Sequence, residues 1–121
     1  AEQRTAGGKT LTLILALNYS SRSEITRAVQ RIAARVAAGE LAPREISEGT
    51  VSASLDTAPY PNPDLVVRTS GECRLSNFLL WQASYAELYF PEVLWPDFTE
   101  EEFDRAIEEY ARRDRRFGLV K

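Results

Sequence analysis

A chain of 121 residues with 44% hydrophobic content holds enough apolar material for one modest core, and it reads as a single unit over residues 1–121. Its net charge of −3 excludes a broad basic face that tracks nucleic-acid phosphates, so any anion site has to be local. The absence of histidine excludes Ser-His-Asp and Cys-His catalysis and histidine-based metal centres, and the single Cys73 excludes an internal disulfide.

Taken in chain order, residues 1–8 read as the last turn of a helix closed by Gly7 and Gly8, with nothing upstream to start it. The apolar run Lys9 to Asn18 predicts a strand buried on both faces of a parallel sheet. A helix follows. Ser21 and Glu24 have capping-box spacing, Ile25, Ala28, Val29, Ile32, Ala33 and Val36 make one apolar stripe, and Gly39 ends it. Leu41 to Pro63 is rich in proline and predicts a long connection holding a short helix around Ser47 to Leu55.

Asp64 to Thr69 predicts a second short strand that empties into the polar loop Ser70 to Ser76. Asn77 to Gln82 predicts a short helix, Leu88 to Phe90 a third strand, and Trp95 to Phe98 an aromatic turn. The last helix starts at Thr99 and Glu102, buries Phe103, Ala106, Ile107 and Tyr110, and ends in the basic run Arg112 to Arg116 before Gly118. Alternating strands and helices predict an α/β fold with an open, mostly parallel sheet flanked by helices, whose ligands bind at the carboxyl ends of the strands.

Arg68 to Asn77, R-T-S-G-E-C-R-L-S-N, places two guanidinium groups, three hydroxyls and a glycine directly after a strand. Arginine suits phosphate because its planar fork makes paired, charge-assisted hydrogen bonds, and serine hydroxyls with a glycine-freed backbone fill the remaining acceptor directions. The alternative is that Arg68 and Arg74 pair with Glu72 and Glu87 simply to order the loop.

Asp64 to Phe98, DLVVRTSGECRLSNFLLWQASYAELYFPEVLWPDF, resembles the signature block of cis-prenyltransferases of the undecaprenyl diphosphate synthase type, and the likeness extends more weakly from Leu11 to Gly118. The resemblance implies condensation of isopentenyl diphosphate with an allylic diphosphate of the farnesyl type, by repeated cis additions. It implies that Arg68, Arg74 and Ser76 hold the isopentenyl diphosphate and that Glu87 helps hold Mg²⁺, a hard ion suited to a carboxylate. It further implies that Arg116 and Gly118, as an R-x-G, reach a neighbouring subunit of a homodimer. Leu11, Leu13 and Leu15 resemble positions lining the prenyl tunnel, with core packing as the alternative. Trp81, Tyr85, Tyr89, Phe90 and Trp95 read as core and dimer-interface aromatics.

The family's D-G-N-G-R-W-A block, which serves the allylic diphosphate and Mg²⁺, has no counterpart here. The chain therefore reads as the C-terminal half of the domain, inactive alone and served by a separate N-terminal half. The family commonly has glycines where this chain has Ser20 and Ser21. Two other readings stand beside this one: a non-catalytic partner subunit of a two-component prenyltransferase, and a generic phosphate-binding α/β module. No nucleic acid is expected as a partner. Without an apolar run of about 18 residues or a signal-peptide pattern, a cytoplasmic setting is expected, with peripheral membrane contact left open.

Overall fold

The structure, a computed structural model, describes residues 2–113. Helix α1, Glu2–Thr5, is a single turn closed by Gly8 N donating to Thr5 O at 2.9 Å. The run Lys9 to Asn18 forms no strand and joins no sheet among the described residues. Leu11, Leu13, Leu15 and Leu17 are 83, 76, 72 and 84% exposed, and Ile14 on the alternate side is 54% exposed. The expected buried strand is therefore not formed here. A strand needs a neighbour to accept and donate its ladder bonds, and apolar sequence alone supplies none.

Helix α2, Ser21–Ala37, starts one residue earlier than the capping-box spacing predicts. Ser20 is the N-cap, with extended backbone, and its Oγ accepts from Ser23 N at 3.5 Å. Ser21 and Glu24 are turned inward and fully buried instead. Glu24 Oε1 accepts from Asp56 N at 3.0 Å, and Oε2 accepts from Gln82 Nε2 at 3.0 Å and from the Tyr19 hydroxyl. Those donors make burial of the carboxylate tolerable. Of the predicted stripe, Ala28 and Ile32 are buried, whereas Val29 and Ala33 face outward. Gly39, at φ +74°, ends the helix.

After a 3₁₀ turn at Pro43–Glu45, α3 spans Glu48–Ser52, with Ser47 and Thr50 capping it reciprocally. It packs against α2, and the two are stitched by Arg31 Nη1 donating to Ser54 O at 2.6 Å and Nη2 to Asp56 Oδ1 at 2.9 Å. Arg27 pairs with the same Asp56, and Trp81 Nε1 donates to Ser52 Oγ at 2.9 Å. The core lies between α2, α3 and the turns around residue 82, where Leu55, Ala83 and Gln82 join Ala28 and Ile32.

Strands β1, Leu65–Val67, and β2, Glu87–Tyr89, pair in parallel with Val66 opposite Leu88. The chain is thus α/β, and its described sheet is this parallel pair. The predicted helix over Asn77 to Gln82 is absent: Ser76, Asn77 and Leu79 have φ of 48, 64 and 46°, which a right-handed helix cannot contain. A 3₁₀ turn at Trp95–Asp97, where Trp95 stacks on Phe98 with ring centroids 6.0 Å apart, leads to α4, Glu100–Arg112. Helix α4 packs on β2, but only its Ala106 is buried; Phe103 and Ile107 stay exposed, as do Tyr85 and Trp95. The expected stripe and aromatic core are thus only partly covered within this chain.

Candidate functional site

Beyond β1, Arg68 N donates to Tyr89 O at 2.9 Å, which carries the ladder one residue further. The chain then turns sharply. Ser70 N donates to Val93 O and Gly71 N to Pro91 O, both at 2.8 Å, and these two residues have φ of 75 and 64°. Gly71 takes that left-handed conformation without steric cost, which frees the backbone to fold back.

This turn gathers three of the residues singled out in the sequence. Arg68 Nη1 donates to Ser76 Oγ at 2.9 Å, and Arg68 Nη2 donates to Glu72 Oε2 at 2.6 Å. Arg74 pairs with the same Glu72 oxygen, so one carboxylate ties both guanidinium groups together. The Arg68 and then the Arg74 guanidinium hold the Glu72 carboxyl below its ordinary range. The arginines pair with Glu72 and not with Glu87, which corrects half of the loop-ordering alternative.

A cleft of about 250 Å³ opens beside the cluster, lined by Arg68, Thr69 and Arg74 together with Val66, Leu75 and Phe78. Its charged rim and apolar wall suit a ligand with an anionic head and a hydrocarbon body. Another cleft, of about 410 Å³, is lined by Glu48, Asp64, Trp81 and neutral residues and has no cation in its lining to receive an anion. Cys73 is exposed, its thiol 3.8 Å from Gly71 O.

Glu87 lies on β2 outside this cluster. Its Oε2 accepts from Arg113 Nη1 at 3.0 Å; the same guanidinium nitrogen donates to Leu88 O at 2.8 Å, and Arg113 Nε is 3.5 Å from Glu109. Glu87, ahead of Glu109, raises the Arg113 pKa. Among the described residues no three metal-ligating side chains converge. Glu87 offers one hard carboxylate, which fits Mg²⁺ only in the mode where phosphate oxygens and water complete the shell.

Arg116 and Gly118 lie outside the described residues. Leu11, Leu13 and Leu15 are exposed, while their neighbours Ile14 and Ala16 line an apolar cleft of about 350 Å³ with Tyr60, Phe78 and Leu79. Three residues that matter to this geometry were missed in the sequence as such: Arg113, read only as part of a basic helix end; Glu24, read only as a cap; and Asn77, read only as the last residue of the Arg68–Asn77 block and the start of a short helix. The N at the close of R-L-S-N, a residue that tolerates left-handed backbone, was the available signal for the last.

The family model described as "Putative undecaprenyl diphosphate synthase" matches residues 1–118. The chain belongs to this family. It is 58% identical over 120 residues to an isoprenyl transferase of Agrobacterium fabrum, covering 99% of this chain and 49% of that protein. Against the isoprenyl transferase of Rhizobium meliloti the identity is 55% over 118 residues, 98% of this chain and 48% of that protein. Among solved structures, lavandulyl diphosphate synthase from Lavandula x intermedia, in complex with dimethylallyl diphosphate, superimposes with a TM-score of 0.92 at 41% identity, covering 98% of this chain and 51% of that one. A probable undecaprenyl diphosphate synthase from Campylobacter jejuni gives 0.81, also at 41% identity, covering 98% and 52%. The chain spans about half the length of the curated relatives it matches. Its homologues are transferases, and the undecaprenyl diphosphate synthase family provides the frame for the cluster on Arg68.

Proposed function

We propose that this chain serves cis-prenyl transfer by holding isopentenyl diphosphate at Arg68, Arg74 and Ser76, for condensation with an allylic diphosphate of the farnesyl type into a long-chain polyprenyl diphosphate. The observation that carries the reading is the convergence of both guanidinium groups and the Ser76 hydroxyl at the carboxyl end of a parallel strand, beside a cleft with an apolar wall. In this reading the incoming diphosphate displaces Glu72 from the guanidinium forks, which then bind phosphate oxygens through charge-assisted hydrogen bonds. The isopentenyl double bond attacks C1 of the allylic partner as that partner's diphosphate leaves, and loss of a C2 proton from the isopentenyl unit to a diphosphate oxygen forms the new double bond, so positioning and charge neutralisation replace any protein nucleophile. Glu87 would supply one carboxylate oxygen to Mg²⁺, and that ion, when bound, would provide charge neutralisation for diphosphate. The tunnel role of Leu11, Leu13 and Leu15, the R-x-G role of Arg116 and Gly118 and the homodimer belong to the same proposal.

The second diphosphate has to be held in line with the first, and among the described residues no other loop joins arginine and glycine in this way. The chain therefore binds isopentenyl diphosphate without turning it over unless a polypeptide bearing the D-G-N-G-R-W block is supplied. The test is incorporation of radiolabelled isopentenyl diphosphate with farnesyl diphosphate and Mg²⁺, run on the chain alone and with that polypeptide added. Incorporation only in the second arm supports the reading; turnover by the chain alone, or in neither arm, overturns it.

A further inference from the structure

Asn77, the residue directly after Ser76, is fastened to the start of α2 by three hydrogen bonds. Its backbone O accepts from Ser21 N at 2.9 Å, its Oδ1 accepts from Arg22 N at 3.0 Å, and its Nδ2 donates to Ser20 Oγ at 2.8 Å. Three residues on, Leu80 N donates to the buried Ser21 Oγ at 2.9 Å. Ser21 N and Arg22 N belong to the first turn of α2, where backbone donors have no partner inside the helix, and Asn77 satisfies both. The hydroxyls of Ser20 and Ser21 are both engaged in this clamp.

The backbone shows why a clamp is needed. Ser76 and Asn77 have φ of 48 and 64°, a left-handed region that residues with a Cβ disfavour and asparagine tolerates best. Such conformations persist only where the surroundings hold them. Here one side of Ser76 is tied by its Oγ to Arg68 at 2.9 Å and the other side by the Asn77 clamp to α2.

We infer that Asn77 is a positioning residue of the diphosphate cradle, acting through Ser76: its bonds to Ser20, Ser21 and Arg22 hold the Ser76 hydroxyl against the Arg68 guanidinium, so that both are pre-arranged for phosphate oxygens. This rests on the diphosphate reading of the cradle. Pre-arrangement removes an ordering cost that binding would otherwise bear.

The test is calorimetric titration of inorganic diphosphate into the chain and into Arg68→Ala, Asn77→Gly, Ser20→Gly and the double variant Arg68→Ala with Asn77→Gly. Glycine at 77 keeps the positive φ at no steric cost, so only the side-chain bonds are lost, and glycine is well tolerated at an N-cap. Asn77→Gly weakens binding about tenfold and Ser20→Gly about threefold, the scale of one or two lost hydrogen bonds. The Asn77→Gly loss shrinks in the Arg68→Ala background, because the clamp works through the cradle. In side-chain ¹⁵N spectra the Arg68 guanidinium signal moves toward that of free arginine in Asn77→Gly, a change that general loosening of distant helices does not produce. Binding within about twofold of wild type in both glycine variants, with Arg68→Ala still deficient, overturns the clamp and leaves the diphosphate reading standing. Undiminished binding in Arg68→Ala overturns that reading and the clamp with it. Should Asn77→Gly fail to fold, Ser20→Gly decides alone.

Discussion

Arg113 Nη1 donates to Glu87 Oε2 at 3.0 Å and to Leu88 O at 2.8 Å, so one guanidinium group at the end of α4 grips both the side chain and the backbone of β2. Any cation that takes Glu87 has to share it with Arg113. Glu87→Gln keeps the size and an acceptor oxygen but removes the charge. The expected outcome is a Mg²⁺ requirement moved to higher concentration in the incorporation assay with both halves present, and a fold that survives. The lost ion pair changes stability by under about 1 kcal/mol, because both partners are partly solvated and screened. An unchanged Mg²⁺ titration curve assigns Glu87 to the structural pair alone.

Arg68 and Arg74 share Glu72 but differ in setting: the Arg68 side chain is 27% exposed and that of Arg74 is 60% exposed. With both halves present, replacing either by alanine is expected to lower kcat/KM for isopentenyl diphosphate by roughly tenfold to a thousandfold, the scale of charge-assisted hydrogen bonds lost at a binding site. The loss is larger at Arg68, which also holds Ser76. Wild-type kinetics in both variants refutes the cradle.

Glu72 provides a pH test. Its folded-state pKa is lowered, first by Arg68 and then by Arg74, so its contribution is present above the ordinary glutamate pKa and is lost as pH falls through the depressed value. Carboxyl ¹³C titration by NMR is expected to place its midpoint below 4.5, the reference value for glutamate. In Arg68→Ala the midpoint returns toward that reference. A Glu72 midpoint at or above the reference in the unsubstituted chain means that the two arginines do not grip it in solution.

Glu24→Ala tests the interior. It removes the acceptor for Asp56 N, Gln82 Nε2 and the Tyr19 hydroxyl while opening a hole beside Ser21 and Gln82. Leaving buried donors without a partner is expected to cost about 2–4 kcal/mol in urea denaturation. Arg105→Ala, which removes an exposed guanidinium paired with Glu102 one turn away on α4, is expected to change stability by less than about 0.5 kcal/mol. A similar loss in both variants would show that Glu24 is an ordinary surface pair.

What the sequence determined by itself was local. Ser47 with Thr50, the amphipathic spacing of α2, the apolar triplet of β1 and the block from Arg68 to Ser76 each act over a few neighbours, so their capping, periodicity and charge are written in consecutive residues. Convergence of Arg68, Arg74 and Ser76 was legible for the same reason, since nine residues on one turn after a strand have little room to part. The tertiary structure decided whatever needed a distant partner. Glu24 was a cap by spacing and became a buried acceptor because Asp56 and Gln82 arrive from elsewhere in the chain. Glu87 met Arg113 rather than the nearer arginines because α4 returns across β2. Lys9 to Asn18 had the composition of a buried strand and lies open, because burial and ladder bonds are properties of a neighbour and not of the segment that seeks one.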